Sequence, residues 1–186
     1  MGLVSLELQL YGDAISYFED VLAMDPNFRK AQQYLANVKK GKAGGSAIPA
    51  KVAELQREAE RTLAEGLIDR AAEYFRDAGQ YCFESAEPEL AVQFYRRAVD
   101  LKKNNYAGQF NLAVALTRVN QIALAAEHLQ QAIQIEPNNA DAHFSLGQLL
   151  AHLGKLPEAR AEFQRVLAIN PNHNAARQAL AALDSE

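Results

Sequence analysis

The chain is short of the residues on which most site chemistry depends. Its 186 residues include one cysteine, Cys82, and no tryptophan. A single thiol excludes a disulfide within the chain and a thiolate metal cage. No uninterrupted apolar stretch approaches the roughly 20 residues of a membrane span, so insertion as a helix is not expected. Met1-Gly2-Leu3 lacks the basic start of a secretory leader, and a cytoplasmic location is the expectation. Positive charge is not in excess either. The net charge is −4, and Lys and Arg occur only in short pairs such as Lys39-Lys40, Arg96-Arg97 and Lys102-Lys103. A nucleic-acid partner rewards a concentrated basic face, so none is expected. Also missing are a Gly-rich phosphate loop, a paired-cysteine zinc spacing and a serine-nucleophile elbow. No cofactor, no metal and no catalytic activity are expected.

What the chain does have is a period. Asp25-Pro26-Asn27, Glu136-Pro137-Asn138 and Asn170-Pro171-Asn172 are matching turns, and Pro137 and Pro171 lie 34 residues apart. A further step of 34 back reaches Lys103, followed by Asn104-Asn105, where the turn persists without its proline. Three units follow: 72–105, 106–139 and 140–173. Each reads as two helices. In the last, Leu146, Leu149, Leu150 and Leu153 recur at helical spacing until Gly154 breaks the run. Pro157 then opens a second helix, where its missing N–H costs nothing, and that helix carries Ala159, Phe163, Val166 and Leu167 on one face. Unit 106–139 repeats the design with Leu112, Leu116, Ala125, Leu129, Ala132 and Ile133. Unit 72–105 does so with Phe75, Ala78, Ala91, Tyr95, Ala98 and Val99.

This pattern resembles the tetratricopeptide repeat, a 34-residue helix–turn–helix unit. The family wants a large residue at position 4, Leu-Gly or Leu-Ala at 7–8 and a large residue at 11. Later come Ala at 20, an aromatic or Leu at 24, Ala at 27 and Pro at 32. Leu146-Gly147, Leu150, Ala159, Phe163 and Pro171 fit in one unit, with His143 and Val166 as departures. Leu112-Ala113, Leu116, Ala125, Leu129, Ala132 and Pro137 fit in another, with Gln109 as the departure. In the first, Phe75, Ala78-Gly79, Ala91, Tyr95 and Ala98 fit, while Cys82 and Lys103 do not. The resemblance implies an all-α fold, an alpha-alpha superhelix (TPR solenoid) of antiparallel helix pairs. The small residues at 8 and 20 let the two helices approach closely.

The two ends carry parts of the same design. Ala14, Phe18, Leu22 and Pro26 fall on positions 20, 24, 28 and 32, so residues 1–40 read as a partial unit plus a following helix, with the opening of its first helix missing. Residues 41–49, with Gly41, Gly44, Gly45 and Ser46, read as a flexible linker or inserted loop. Residues 50–71 read as a charged helix leading into the array, with Val52, Leu55, Ala59 and Leu63 on one face. Either residues 29–40 cap a separate small array, or they join 50–66 in one divergent unit; the nine-residue surplus over 34 favours the second layout. Residues 174–186 read as a capping helix. The incomplete first unit also leads to the expectation of self-association through residues 1–49.

The histidines, His128, His143, His152 and His173, are expected as surface or packing residues. His143 and His152 sit on different sides of one helix, and Cys82 is expected as a buried, inert thiol. In the family the first helix of each unit lines the concave surface, chiefly through positions 2, 5, 9, 12 and 13. The resemblance therefore implies a peptide-binding groove built from Arg76, Gln80, Phe83, Phe110, Asn111, Val114, Thr117, Arg118, Phe144, Gln148 and His152. The partner it implies is a protein or peptide ligand. The family's clamp for the terminal carboxylate of a chaperone tail needs Lys, Asn, Asn, Lys and Arg at fixed positions. Here Arg76, Gln80, Asn111, Asp141 and Ser145 stand there, and only Asn111 matches. The function expected is a protein-interaction scaffold that binds a peptide or helix in its groove. The alternative is the substrate-selecting repeat region of a larger enzyme, such as a glycosyltransferase or methyltransferase.

Overall fold

A computed structural model describes residues 50–184. The readings above for residues 1–40, for 41–49 and for self-association through 1–49 lie outside these residues. The chain divides into two compact units, residues 1–57 and 58–186. Of the first, the described part is the opening of helix α1, Ala50–Ala64, in which Val52 is buried.

The second unit is an all-α helical-repeat superhelix. After α1 come α2 (Ile68–Glu84), α3 (Pro88–Leu101), α4 (Tyr106–Arg118), α5 (Ile122–Ile135), α6 (Ala140–His152), α7 (Leu156–Ile169) and α8 (Asn174–Leu183), and no strand occurs among the described residues. The starts of α4, α6 and α8 are spaced by 34 residues, as are those of α3, α5 and α7. Contacts follow chain order: α2 packs on α3, α4 on α5 and α6 on α7, with α3 against α4, α5 against α6 and α7 against α8. Pro88 and Pro157 sit in the first turn of their helices, where the ring's fixed φ is already helical.

Each turn inside a pair is the same device. Ala86, Asn120 and Gly154 adopt left-handed φ values of 61°, 60° and 73°. The amide after each then reaches back to a carbonyl five residues earlier: Glu87 to Cys82, Gln121 to Leu116 and Lys155 to Leu150. This is the six-to-one bond that satisfies the last open carbonyls of a helix. A fourth copy sits at Gly66, φ 76°, where Leu67 N–H bonds to Thr62 C=O. The segment 50–71, read as one charged helix, is therefore broken, and α2 begins four residues ahead of Ala72. The break falls at the end of the 50–66 stretch that the sequence sets apart as a charged helix.

The core lies between the two helices of each pair. Ala78, Ala91, Tyr95, Leu112, Leu116, Ala125, Leu129, Leu146, Ala159, Phe163 and Val166 are all buried. The closest fit pairs a small residue with a ring. A Cβ placed on Gly147 falls 2.7 Å from Cε1 of Phe163, and one on Gly79 falls 2.7 Å from Cδ1 of Tyr95. At the equivalent places the middle pair has Ala113 and Leu129, both buried: one methyl more on one helix, a smaller side chain on the other. Gly in a helix interior costs about 1 kcal/mol against Ala, so the ring contact must offset it. Gly147→Ala is expected to cost about 1–3 kcal/mol by overpacking despite its better helix propensity. In the Phe163→Leu background the same change is expected to stabilise, because it copies the middle pair. Thermal or urea unfolding of the four variants in a double-mutant cycle checks this; purely additive effects would refute the interlock.

Candidate functional site

The residues expected to form a groove lie on the first helices of the pairs, α2, α4 and α6. Phe83, Phe110, Asn111, Val114, Phe144 and Arg76 are half-buried; Gln80, Thr117, Arg118, Gln148 and His152 are exposed. Their bonding separates them. Arg76 pairs with Asp77 at 2.9 Å. Gln80 donates to Glu84 at 2.7 Å and accepts from the Tyr95 hydroxyl at 2.8 Å, so it doubles as a core contact. Thr117 donates its hydroxyl to the Ala113 carbonyl one turn back. Asn111, Gln148 and His152 make no hydrogen bond or ion pair among the described residues.

The aromatics divide in the same way. Phe110 stacks on Tyr106 of its own helix, with centroids 5.6 Å apart. Phe144 packs on Phe163 at 5.7 Å and on His173 at 4.8 Å. Phe144 thus belongs partly to the core between α6, α7 and the start of α8, whereas Phe110 rests on a neighbour along the same helix. Phe83 and Arg118 meet across α2 and α4, with the guanidinium carbon 5.0 Å from the ring centroid. Beside this face, Asp69, Ala72, Glu73, Arg76, Ala98, Lys102, Asn105 and Gly108 line a pit of about 20 Å³, too small for more than a water.

The apolar repeat pattern treated Gln109 and His143 as departures, and both turn out to be buried polar anchors. Gln109 Nε2 donates to the Lys103 carbonyl at 3.0 Å, and its Oε1 lies 2.8 Å from His128 Nδ1. One unit later His143 repeats the arrangement. Its Nε2 lies 3.0 Å from the Pro137 carbonyl, and its Nδ1 lies 2.6 Å from Glu162. Both ring nitrogens of His143 are thus engaged. Arg177 reaches the Pro171 carbonyl at 2.8 Å from the same repeat position. These bonds tie each first helix to the loop that precedes it. They are structural and hold no ligand.

Other chemistry-bearing groups are quiet. Cys82 is fully buried, and burial pushes its thiol up to about 11, far from a reactive thiolate. His173 caps α8, its Nδ1 accepting from Ala176 N–H at 3.1 Å; Asn105 and Asn139 cap α4 and α6 from the same position. Among the described residues no group of three or more His, Cys, Asp or Glu is placed to hold a metal ion. No described helix is long and apolar enough to cross a membrane.

A model of the family described as tetratricopeptide repeat matches residues 118–183. Over those residues the chain carries tetratricopeptide repeats. The match covers α5 to α8 and omits α2 and α3, the pair in which Cys82 and Lys103 stand off the family pattern. Solved repeat structures superpose on more of it. The Arabidopsis OM64 TPR domain shares 24% identity and a TM-score of 0.61, over 64% of this chain and 98% of that one. The second TPR domain of human RPAP3, in complex with the HSP70 peptide SGPTIEEVD, shares 26% at a TM-score of 0.57, over 60% and 93%. MamA shares 19% at 0.59, over 67% and 81%, a likeness of fold alone. No curated protein matches the chain. With these repeats it belongs among protein-interaction scaffolds.

The buried network makes stability depend on pH. His128 is held below the ordinary histidine range, first by burial and then by the charge of Arg96. A depressed histidine binds its proton more weakly in the folded state, so its contribution is complete above the unfolded value of about 6.5. That contribution is lost as the pH falls toward the lower folded value. Between about pH 7.5 and pH 5, the native protein is expected to lose more stability than His128→Gln. Urea unfolding across that range measures it; parallel losses would show that His128 is not the group responsible.

Proposed function

We propose that this repeat protein is a non-catalytic module that takes an extended peptide or a helix in the groove lined by α2, α4 and α6. The observation that carries the reading is the state of Asn111 and Gln148. They stand on the same helices as half-buried Phe110, Val114 and Phe144, and their side-chain amides make no bond among the described residues. A face that pairs apolar side chains with open amide donors and acceptors suits a peptide, whose main chain offers both. Arg76, Gln80, Phe83, Thr117, Arg118 and His152 form its edges. The RPAP3 domain, solved in complex with an HSP70 peptide, supports a peptide ligand for this fold.

The chaperone tail itself is not the partner proposed. Gln80, Asp141 and Ser145 stand where the family clamp needs Asn, Lys and Arg, and Arg76 is already paired with Asp77. Asp141 adds an exposed negative charge where a terminal carboxylate would have to bind. Peptides selected on the full chain from a random display library test the groove. Phe110→Ala is expected to weaken them by about 1–3 kcal/mol with the helical circular dichroism unchanged. Phe144→Ala is expected to lower both binding and stability, because its ring also fills the α6–α7 core. Full-strength binding to Phe110→Ala would overturn the reading. In a separate calorimetric titration, the peptide SGPTIEEVD is expected to bind no better than its scrambled form; sequence-dependent micromolar binding would show that the clamp works with these residues.

A further inference from the structure

The end of α4 carries a cation that no acid in the described structure neutralises. Arg118 is exposed and makes no ion pair or hydrogen bond among the described residues; its recorded partner is the ring of Phe83 on α2, 5.0 Å away. Other basic side chains near this face are engaged, Arg76 with Asp77 at 2.9 Å and Lys102 with Asp69 at 2.8 Å. A basic residue in the last turn of a helix is ordinary, since the carbonyl ends there favour positive charge. That explains the charge of Arg118 but not its placement over a ring on another helix. A contact between a guanidinium and a ring uses none of its N–H donors, and those donors are the groups with which arginine can bind a carboxylate through two bonds. Along the same repeat position the neighbours are Glu84, which accepts from Gln80, and His152, exposed and unbonded among the described residues. The edge of the groove therefore offers one fixed, unsatisfied cation at its middle unit.

Resting on the groove reading above, we infer that Arg118, positioned by Phe83, receives a side-chain carboxylate of the bound segment. The partner then carries an Asp or Glu close to the apolar residues that settle on Phe110 and Val114. This requirement differs from a terminal-carboxylate clamp: it selects an internal acidic residue and sits at the last turn of α4, whereas Asp141 lies in the first turn of α6.

The probes are peptides selected on the full chain by random display and synthesised with amidated C-termini, each paired with a twin in which Glu or Asp is replaced by Gln or Asn. Acidic residues are expected to be enriched at one position. The neutral twin is expected to bind about two- to fivefold more weakly, the range for a partly exposed charge pair. Arg118→Gln is expected to remove that difference, weakening the acidic peptide to the level of its twin and leaving the twin unchanged. Phe83→Leu is expected to shrink the difference without abolishing it. Since Arg118 is exposed, its substitution leaves the fold in place, and the result does not depend on the Phe83 variant folding. If the acidic preference survives Arg118→Gln while Phe110→Ala still weakens binding, the assignment of Arg118 is wrong and the groove reading stands. Peptides indifferent to both substitutions would overturn both.

Discussion

The structure depends on a ring seated where a side chain is missing. In the α6–α7 pair the edge of Phe163 occupies the space a Cβ on Gly147 would need, and Tyr95 does the same over Gly79. Because the fit is steric, it fixes the rotation and the axial register of one helix against the other. A slip of one residue would bring Leu146 or Gln148 under the ring, and neither leaves room for it. Fixing that rotation also decides which side chains of the first helices turn away from the pair. Phe110, Val114 and Arg118 on α4 stay half-buried or exposed because Ala113 and Leu116 are committed to the core.

A second constraint acts between successive pairs and is polar. Gln109 and His143 each hold the carbonyl of the preceding loop and a side chain of their own second helix. In the first described pair the same two places hold Phe75 and Phe94, with ring centroids 6.5 Å apart and the Arg97 guanidinium 4.1 Å from the Phe75 centroid. One position thus serves either as an apolar contact or as a satisfied hydrogen-bond hub. Buried polar groups are tolerable only when every donor and acceptor is met, and no buried side-chain N or O among the described residues lacks a partner. The polar form demands a particular angle between helix and loop, whereas two stacked phenyl rings allow some sliding. The α4–α5 and α6–α7 pairs are accordingly held more tightly to their loops than α2–α3.

Much of this was legible in the sequence because the apolar residues carry the period. The 34-residue spacing of prolines and small residues gives the helix pairs and the roles of Gly79, Ala113 and Gly147 directly. What it hid follows from reading polarity as absence of pattern. Gln109 and His143 looked like defects in an apolar stripe, yet each lies 19 residues before its side-chain partner, His128 or Glu162. That recurrence of polar pairs at a fixed offset was available and would have revealed the network. The turn at Gly66 coincides with the end of the charged stretch 50–66, but the start of α2 at Ile68, ahead of the repeat at Ala72, has no apolar spacing to mark it. For the groove, the sequence supplied the residues but not their existing commitments, because an i, i+4 stack such as Tyr106–Phe110 and a cross-helix contact such as Phe83–Arg118 look alike as letters.

Those commitments limit what each groove residue can give to a ligand. A side chain already bonded within the protein must exchange one partner for another, and the net gain from such an exchange is small. Gln80 would have to release Glu84 or the Tyr95 hydroxyl, Arg76 would have to leave Asp77, and Phe144 cannot turn without opening a gap beside Phe163. Asn111, Gln148 and Arg118 face no such exchange: the two amides are unbonded among the described residues, and Arg118 keeps its ring contact while its N–H donors stay available. Selectivity therefore concentrates on α4 and the middle of α6, with Phe110 and Val114 supplying apolar area between the polar groups. The outer members of the face, Arg76 and Gln80 on α2, are better understood as its walls.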